Sequence, residues 1–287
     1  MFNPPLTIEQ AWRQGAGLLI CSDSATLDSQ LLLLKALDKD NRAYLLTWPE
    51  KILSEGQISQ FEYLITQRLE GRPIAHLMGY REFWGLELKV NASTLIPRPD
   101  TEIIIDTVLE LYQDKLDKPL NALDLGTGTG AIALALKSEC PAWQLDAVEY
   151  DKAAFELAKL NSSRLNLPVD VYHGSWFEPL PELNSYHLIV SNPPYIDEQD
   201  PHLTQGDVRF EPKSALTAEN DGLADIEVIV DKSRCYLQQN GYLVIEHGYQ
   251  QGQSVQAIFQ QYPEFTDIQT REDLAGQPRI TLARFFR

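Results

Sequence analysis

The run from Asn121 to Glu149 constrains the fold more than any other part of this 287-residue chain. Asn121-Ala122-Leu123-Asp124-Leu125 is a short apolar, β-rich run that reads as a buried parallel strand. It passes directly into Gly126-Thr127-Gly128-Thr129-Gly130 and then into the helical Ala131-Ile132-Ala133-Leu134-Ala135-Leu136. Glycines are required there because the turn is tight and the backbone must approach a ligand closely, beneath a helix N-terminus. A second strand, Gln144 to Val148, ends in Glu149, about twenty residues past the glycines, the spacing at which a carboxylate meets ribose hydroxyls. Together these elements predict an α/β doubly wound sheet that binds a nucleoside.

The alternation of helix and strand continues. A helix over Lys152 to Leu165 precedes a strand, Val169 to His173, which delivers Gly174-Ser175-Trp176-Phe177 to the same carboxyl edge. Trp176 or Phe177 can stack on an adenine there, or simply fill the core. The next strand, His187 to Val190, runs into Ser191-Asn192-Pro193-Pro194-Tyr195. Two prolines hold φ near −65° and donate no hydrogen bonds, so the carbonyls around Asn192 and Pro193 become fixed acceptors beside the Asn192 amide oxygen. Acceptors next to an aromatic face suit a planar NH2 group, either a carboxamide or the exocyclic amine of a base. A Pro-rich turn after a core strand is the plainer reading of the same residues. The polar stretch from Ile196 to Asp221, containing Arg209-Phe210-Glu211-Pro212, is expected as a long loop that acts as a lid or docks the substrate. A helix over Ala224 to Leu237, a strand at Tyr242 to Ile245, a helix over Gln251 to Gln261 and strands near Phe265 to Ile268 and Arg279 to Phe285 complete the expected sheet.

From Thr7 to Leu77 only helices are expected. Thr7 with Gln10 makes a capping box, Leu27, Leu31, Leu34 and Leu37 recur at helical spacing, and Gly71-Arg72-Pro73 stops a helix running from Ile58 to Glu70. This block carries no catalytic constellation, so it serves packing or partner recognition. Between Gly79 and Pro97 the period changes to that of a hairpin, with Asn91-Ala92 as its candidate turn. The prolines of Leu95 to Glu102 then force extension, Asp100 is placed to cap a helix over Glu102 to Tyr112, and Arg98 on that stiff segment can face the active site, with a surface arginine as the default reading. The expected domains are therefore 1–78, a linker at 79–98, and 99–287. With 41 acidic against 24 basic residues and a net charge of −17, affinity for nucleic acid or anionic membranes is disfavoured and a basic partner favoured. Cys21, Cys140 and Cys235 form no Cys-x-x-Cys pair, so reduced, partly buried thiols are expected, with neither a disulfide framework nor a metal site. Met1 to Gln10 has no basic start or apolar core, and no run is long enough to span a membrane, so a cytoplasmic, soluble chain is expected.

Asp124 to Gly130, Glu149 and Asn192-Pro193-Pro194-Tyr195 resemble class I S-adenosylmethionine-dependent methyltransferases acting on planar nitrogens. Gly71-Arg72-Pro73, Gly79-Tyr80-Arg81-Glu82-Phe83-Trp84-Gly85, Ile96 to Glu102 and Arg209 to Pro212 narrow the likeness to the release factor glutamine methyltransferases (PrmC, or HemK), over nearly the whole chain. The resemblance implies about seven strands with the last antiparallel and a small all-helical N-terminal domain that recognises the substrate; a monomer is expected. It also implies methylation of the side-chain amide nitrogen of the glutamine in the Gly-Gly-Gln motif of peptide chain release factors. Asp124, Gly126, Thr127, Gly128, Thr129 and Gly130 would hold S-adenosylmethionine by its methionine end, Glu149 by its ribose and Trp176 by its adenine, with Asn192 bordering it. Asn192, the Pro193 carbonyl, Pro194 and Tyr195 would take the glutamine amide, with Asn192, Pro193 and Tyr195 catalytic. Two positions depart from the family's pattern: Ser175 stands where an acidic residue is frequent, and Glu149 where aspartate is usual. The alternatives are an adenine- or guanine-amine methyltransferase acting on nucleic acid, a nicotinamide oxidoreductase, and a non-catalytic adaptor.

Overall fold

In the computed structural model, residues 2–181, 186–204 and 206–287 are described. The chain separates into two compact units, Met1–Tyr80 with Gln205–Phe210, and Arg81–Thr204 with Glu211–Arg287.

The first unit is built from helices with strong local start signals. The capping box at Thr7 and Gln10 opens α1 (Ile8–Leu18), and a second one, Ser54 with Gln57, opens α4 (Glu55–Leu69). Between them lie α2 (Ala25–Ala36) and the single turn α3 (Ala43–Thr47); α5 (Ile74–Met78) follows Pro73 and ends at Gly79, whose φ of 82° terminates the helix. Ile8, Leu32, Leu33, Leu34, Phe61 and Ile65 form its core. Asp28, only 3% exposed, accepts from Arg68 Nε at 2.9 Å and from the hydroxyls of Ser22 and Ser24 at 2.8 and 2.7 Å. Arg68 also pairs with Asp207 at 3.3 Å, and Arg209 Nη2 donates to Glu70 O at 3.1 Å. Asp28→Ala is expected to destabilise this unit by about 3 kcal/mol, because it removes the buried carboxylate that pairs with Nε of the largely buried Arg68 guanidinium. Urea unfolding followed at Trp12 and Trp48 checks this.

The second unit starts at Arg81 within the hairpin of β1 (Tyr80–Phe83) and β2 (Leu86–Lys89). Its turn is Trp84-Gly85, both with positive φ, and not Asn91-Ala92 as the sequence suggested. The turn has the backbone of a type I′ connection, and a tryptophan at a positive-φ position carries no turn signature. After α6 (Glu102–Leu111) the strands β3 (Asn121–Leu125), β4 (Gln144–Glu149), β5 (Asp170–His173) and β6 (Tyr186–Ser191) alternate with α7 (Ala131–Glu139) and α8 (Lys152–Leu165). The short strands β7 (Ile196–Asp197) and β8 (Thr217–Ala218) pair with each other, and 3-10 turns fill the interval between them. The stretch 196–221 is thus folded in pieces rather than one open loop; Gln205 within it lies outside the described residues. The single turn α9 (Glu219–Gly222), α10 (Ala224–Ser233), β9 (Leu237–Glu246), α11 (Gly252–Gln260), β10 (Phe265–Glu272) and β11 (Pro278–Phe285) complete the unit. Residues 237–241 belong to β9: α10 is shorter, and β9 longer, than periodicity indicated.

The seven strands run in the order β10-β11-β9-β6-β3-β4-β5, parallel except for β11, which is antiparallel to both neighbours. Two apolar layers, one around Ile104, Leu134 and Val244 and one around Ile189, Ile229 and Phe259, cover the two faces. The chain steps from β3 outward to β5 and returns to β6 on the other side of β3. This reversal opens a crevice beyond the carboxyl ends of β3 and β6, where open α/β sheets bind ligands. Leu125 and Ser191 are register partners there, and Ser191 Oγ donates to Leu125 O at 2.8 Å. Among the described residues no helix is long and apolar enough to cross a membrane. Cys140 is buried, whereas Cys21 and Cys235 are exposed, contrary to the expectation of partly buried thiols.

Candidate active site

The glycine turn sits at the β3 side of the crevice. Gly126, Gly128 and Gly130 have φ of 70°, 57° and 85°, a region costly for side-chain-bearing residues, and Gly130 is the N-cap of α7. Behind the turn, Asp124 is fully buried and accepts from Thr127 Oγ1 at 2.5 Å and Ala133 N at 3.2 Å. Its other oxygen is buried without a partner, and burial pushes the carboxyl up to about 7 against those two hydrogen bonds. Asp124 therefore braces the turn from inside and does not line the crevice.

That shift has a stability consequence. A carboxyl whose folded pKa is raised holds its proton in the folded chain after the unfolded chain has released it, so stability falls as pH rises through this window. For Asp124 the window runs from 3.8 to about 7, and Glu246, also fully buried and pushed up to about 7, acts in the same direction. The ligand-free protein should melt several degrees lower at pH 8 than at pH 5, and Asp124→Asn should reduce that difference. A Tm that rises over this range would contradict the assignment.

Glu149 closes the far side of the turn. Its Oε2 accepts from Gly128 N and its Oε1 from Asp151 N, both at 2.8 Å. Burial nevertheless keeps its pKa raised. Each oxygen retains a lone pair, so the side chain is held with two acceptors for a pair of hydroxyls. Trp176, at φ 45°, lays its ring 3.4 Å from where a Cβ on Gly126 would stand. The Asp225 carboxyl also lines the cavity, where burial raises its pKa and the neighbouring Trp176 indole lowers it, with burial dominant. Phe177 instead is buried in the core and stacks on Tyr236 with ring centroids 4.6 Å apart. Of the two aromatics only Trp176 faces the crevice.

The Asn192-Pro193-Pro194-Tyr195 segment forms the β6 side. Asn192 Nδ2 donates to Thr101 Oγ1 at 3.2 Å, which leaves Oδ1 as the acceptor available to the crevice. Tyr195 donates its hydroxyl to Glu246 Oε1 at 3.2 Å, and burial together with that carboxylate pushes the phenol well above its usual range. Its carbonyl accepts from Gln251 Nε2 at 3.0 Å and lies so close to Gly222 that an added Cβ would stand 2.1 Å away. The segment is therefore pinned at several points, as a site for a planar group needs to be.

These walls enclose a cavity of about 350 Å³, within the range of small-molecule sites. Gly126, Thr127, Gly128, Thr129, Glu149, Trp176, Asn192 and Pro194 line it. Asp124, Gly130, Pro193 and Tyr195 are not among its lining residues. Arg98 also lines the cavity and reaches both oxygens of buried Glu211, at 2.9 and 2.8 Å, so it is not the surface arginine expected. Asp100 does not cap α6; it lies 3.5 Å from Arg279, while Thr101 gives its hydroxyl to Asn192 as acceptor. Sequence reading missed Thr101, Glu211, Asp225, Glu246 and Arg279. One signal was present for Glu246: a lone carboxylate directly after the apolar Leu243-Val244-Ile245.

Comparison with known proteins places these features in a family. Residues 10–79 match the family described as PrmC N-terminal domain, and residues 102–210 match the one described as Methyltransferase small domain. The chain is 47% identical to the release factor glutamine methyltransferase of Aliivibrio fischeri over 92% of each chain. It is 43% identical to that of Escherichia coli over 96% of this chain and 99% of the relative. Among solved structures it is similar to a methyltransferase from Pyrococcus furiosus, with a TM-score of 0.53 and 18% identity, covering 77% of this chain and 96% of the other. It is also similar to the Thermus thermophilus 16S rRNA N2 G1207 methyltransferase solved with AdoMet and guanosine, with a TM-score of 0.52 and 17% identity, covering 72% of this chain and 50% of that one. At these identities the two structures speak to the fold alone. With a glycine turn, a ribose-spaced carboxylate and a pinned Asn-Pro-Pro-Tyr segment on one crevice, and full-length relatives above 40% identity, the chain belongs to the release factor glutamine methyltransferase family.

Proposed function

We propose that the protein transfers a methyl group from S-adenosylmethionine to the side-chain amide nitrogen (N5) of the glutamine in the Gly-Gly-Gln motif of peptide chain release factors. The observation that carries this reading is the committed amide of Asn192: with Nδ2 given to Thr101, its oxygen is the group offered to a substrate NH2.

The cavity fits the cofactor's chemistry. The positive-φ glycines let backbone approach the methionine end, Glu149 offers two acceptors to the ribose hydroxyls, and the Trp176 ring offers a face to adenine. When bound, S-adenosylmethionine supplies an electrophilic methyl group on its sulfonium. An amide nitrogen is a poor nucleophile because its lone pair is delocalised into the carbonyl. Asn192 Oδ1 and the Pro193 carbonyl orient the substrate NH2 and stabilise the positive charge that grows on its nitrogen, while Tyr195 packs against the amide plane and Pro194 walls the site. The N-methylated, protonated amide is strongly acidic, so its proton leaves to water. Residues 1–78 recognise the release factor, 79–98 link, and 99–287 carry the chemistry. The net charge of −17 steers the enzyme to a basic partner and away from nucleic acid. The protein acts as a cytoplasmic monomer.

The test is methyl transfer from labelled S-adenosylmethionine to a purified release factor, beside the same factor with the Gly-Gly-Gln glutamine changed to alanine, and beside DNA and RNA. Label on the unmodified factor alone is expected. Label on nucleic acid instead would overturn the substrate assignment.

A further inference from the structure

Glu246 is the last residue of β9, 1% exposed, and its Cα is in register with Ile280 of β11. It does not line the cavity, yet it holds Tyr195 directly and neighbours Thr101, the support of Asn192. Oε1 accepts the Tyr195 hydroxyl at 3.2 Å. The Thr101 hydroxyl approaches the same carboxyl closely enough to favour its ionised form, though Oε2 makes no full hydrogen bond, and Thr101 Oγ1 in turn accepts from Asn192 Nδ2 at 3.2 Å. The charged and titratable groups facing Glu246 are Tyr195 from the segment after β6, Asp100 beside Thr101, and Arg279 from β11, whose Nη2 is held by Asp273 at 3.0 Å and lies 3.5 Å from Asp100. Neighbouring His247 is buried and turned to Thr281 Oγ1 and Gly248 O, at 2.9 Å each.

The polarity of this chain of contacts follows from donor and acceptor chemistry. An ionised carboxylate only accepts, so a hydroxyl facing it must donate, and that hydroxyl's lone pairs then accept from an amide NH2. An amide whose nitrogen is spent in this way presents its oxygen on the other side. We propose that Glu246 is a positioning residue that, through Thr101, sets the Asn192 amide with Oδ1 toward the substrate nitrogen and, through its bond to Tyr195, fixes the aromatic wall. This inference rests on the function proposed above and explains how the Asn192 amide selects an NH2 donor.

The consequence is that the catalytically competent polarity belongs to the ionised form of Glu246, which its burial places near neutral pH. In Glu246→Gln the side chain can donate as well as accept, so Thr101 can reverse and the Asn192 amide can flip. The experiment measures kcat against pH, S-adenosylmethionine Kd by calorimetry, and the side-chain 15N–1H signals of Asn192, for wild type, Glu246→Gln, Thr101→Val and Thr101→Ser. Expected are a tenfold or greater loss of kcat in Glu246→Gln and Thr101→Val with Kd within about twofold, loss of the acid limb near pH 7 in Glu246→Gln, shifted Asn192 NH2 signals in both, and near-normal behaviour of Thr101→Ser. Wild-type kcat and an unchanged acid limb in Glu246→Gln would overturn the proposal, as would a Kd that weakens in step with kcat. Should wild type transfer nothing to the release factor, the substrate reading fails instead, and the Asn192 signals still decide the relay: unmoved signals in both variants would refute it.

Discussion

Replacing Asn192 with alanine is expected to lower methyl transfer about a hundredfold or more while leaving S-adenosylmethionine affinity nearly intact. The loss has this size because the amide nitrogen becomes positive only as the methyl arrives, and a preorganised acceptor aimed at that developing charge contributes on the order of 10²–10³ in turnover. Alanine also removes the group whose Nδ2 is anchored on Thr101, leaving that hydroxyl idle rather than unpaired in the core, since Thr101 faces the cavity. Asn192 is one lining side chain of the cavity among many, so its proposed share of cofactor affinity is small. Single-turnover kinetics with labelled cofactor, set beside calorimetric binding, separate the two quantities. If turnover and affinity fell together, Asn192 would belong to cofactor binding and the acceptor role would be lost.

Glu149→Ala is expected to do the opposite, weakening S-adenosylmethionine binding about a hundredfold or more. In its proposed role Glu149 makes two charge-assisted hydrogen bonds to ribose, and at about 1.5 kcal/mol or more each these amount to about 3 kcal/mol, or two powers of ten in Kd. The substitution also removes the acceptor of Gly128 N and Asp151 N, both 2.8 Å away, so the glycine turn loses its tie to β4. Glu149→Asp retains both acceptors on a side chain one carbon shorter and should recover most of the affinity. Calorimetry on the three proteins measures this, and an alanine variant that binds as wild type does would remove Glu149 from the ribose.

Much of this was legible locally. The capping box at Thr7, the strand into Gly126-Thr127-Gly128-Thr129-Gly130 and the acid at the end of β4 all lie where spacing indicated, because helix caps, positive-φ turns and strand periodicity are written in residues a few positions apart. Misreadings fell where neighbours in sequence were not the deciding partners. Asp100 has the chemistry of a cap, but Arg279 stands beside it. Arg98 looks like a surface residue, but a carboxylate 113 positions away is buried against it. The hairpin turned at Trp84-Gly85 rather than Asn91-Ala92 because Phe83 and Leu88 had to enter the core on one face.

By itself, then, the sequence determined the alternation of elements, the two ligand-facing motifs and the chemistry they suit. Only the tertiary structure decided that the motifs share one crevice between β3 and β6, that Thr101 lines it, and that Glu246 and Arg279 stand behind it. The physical reason is that periodicity encodes which face of an element is buried but not what it is buried against. The partners of Asn192 and Tyr195 come from segments 91 and 51 residues away, and their meeting is the outcome of packing the whole sheet.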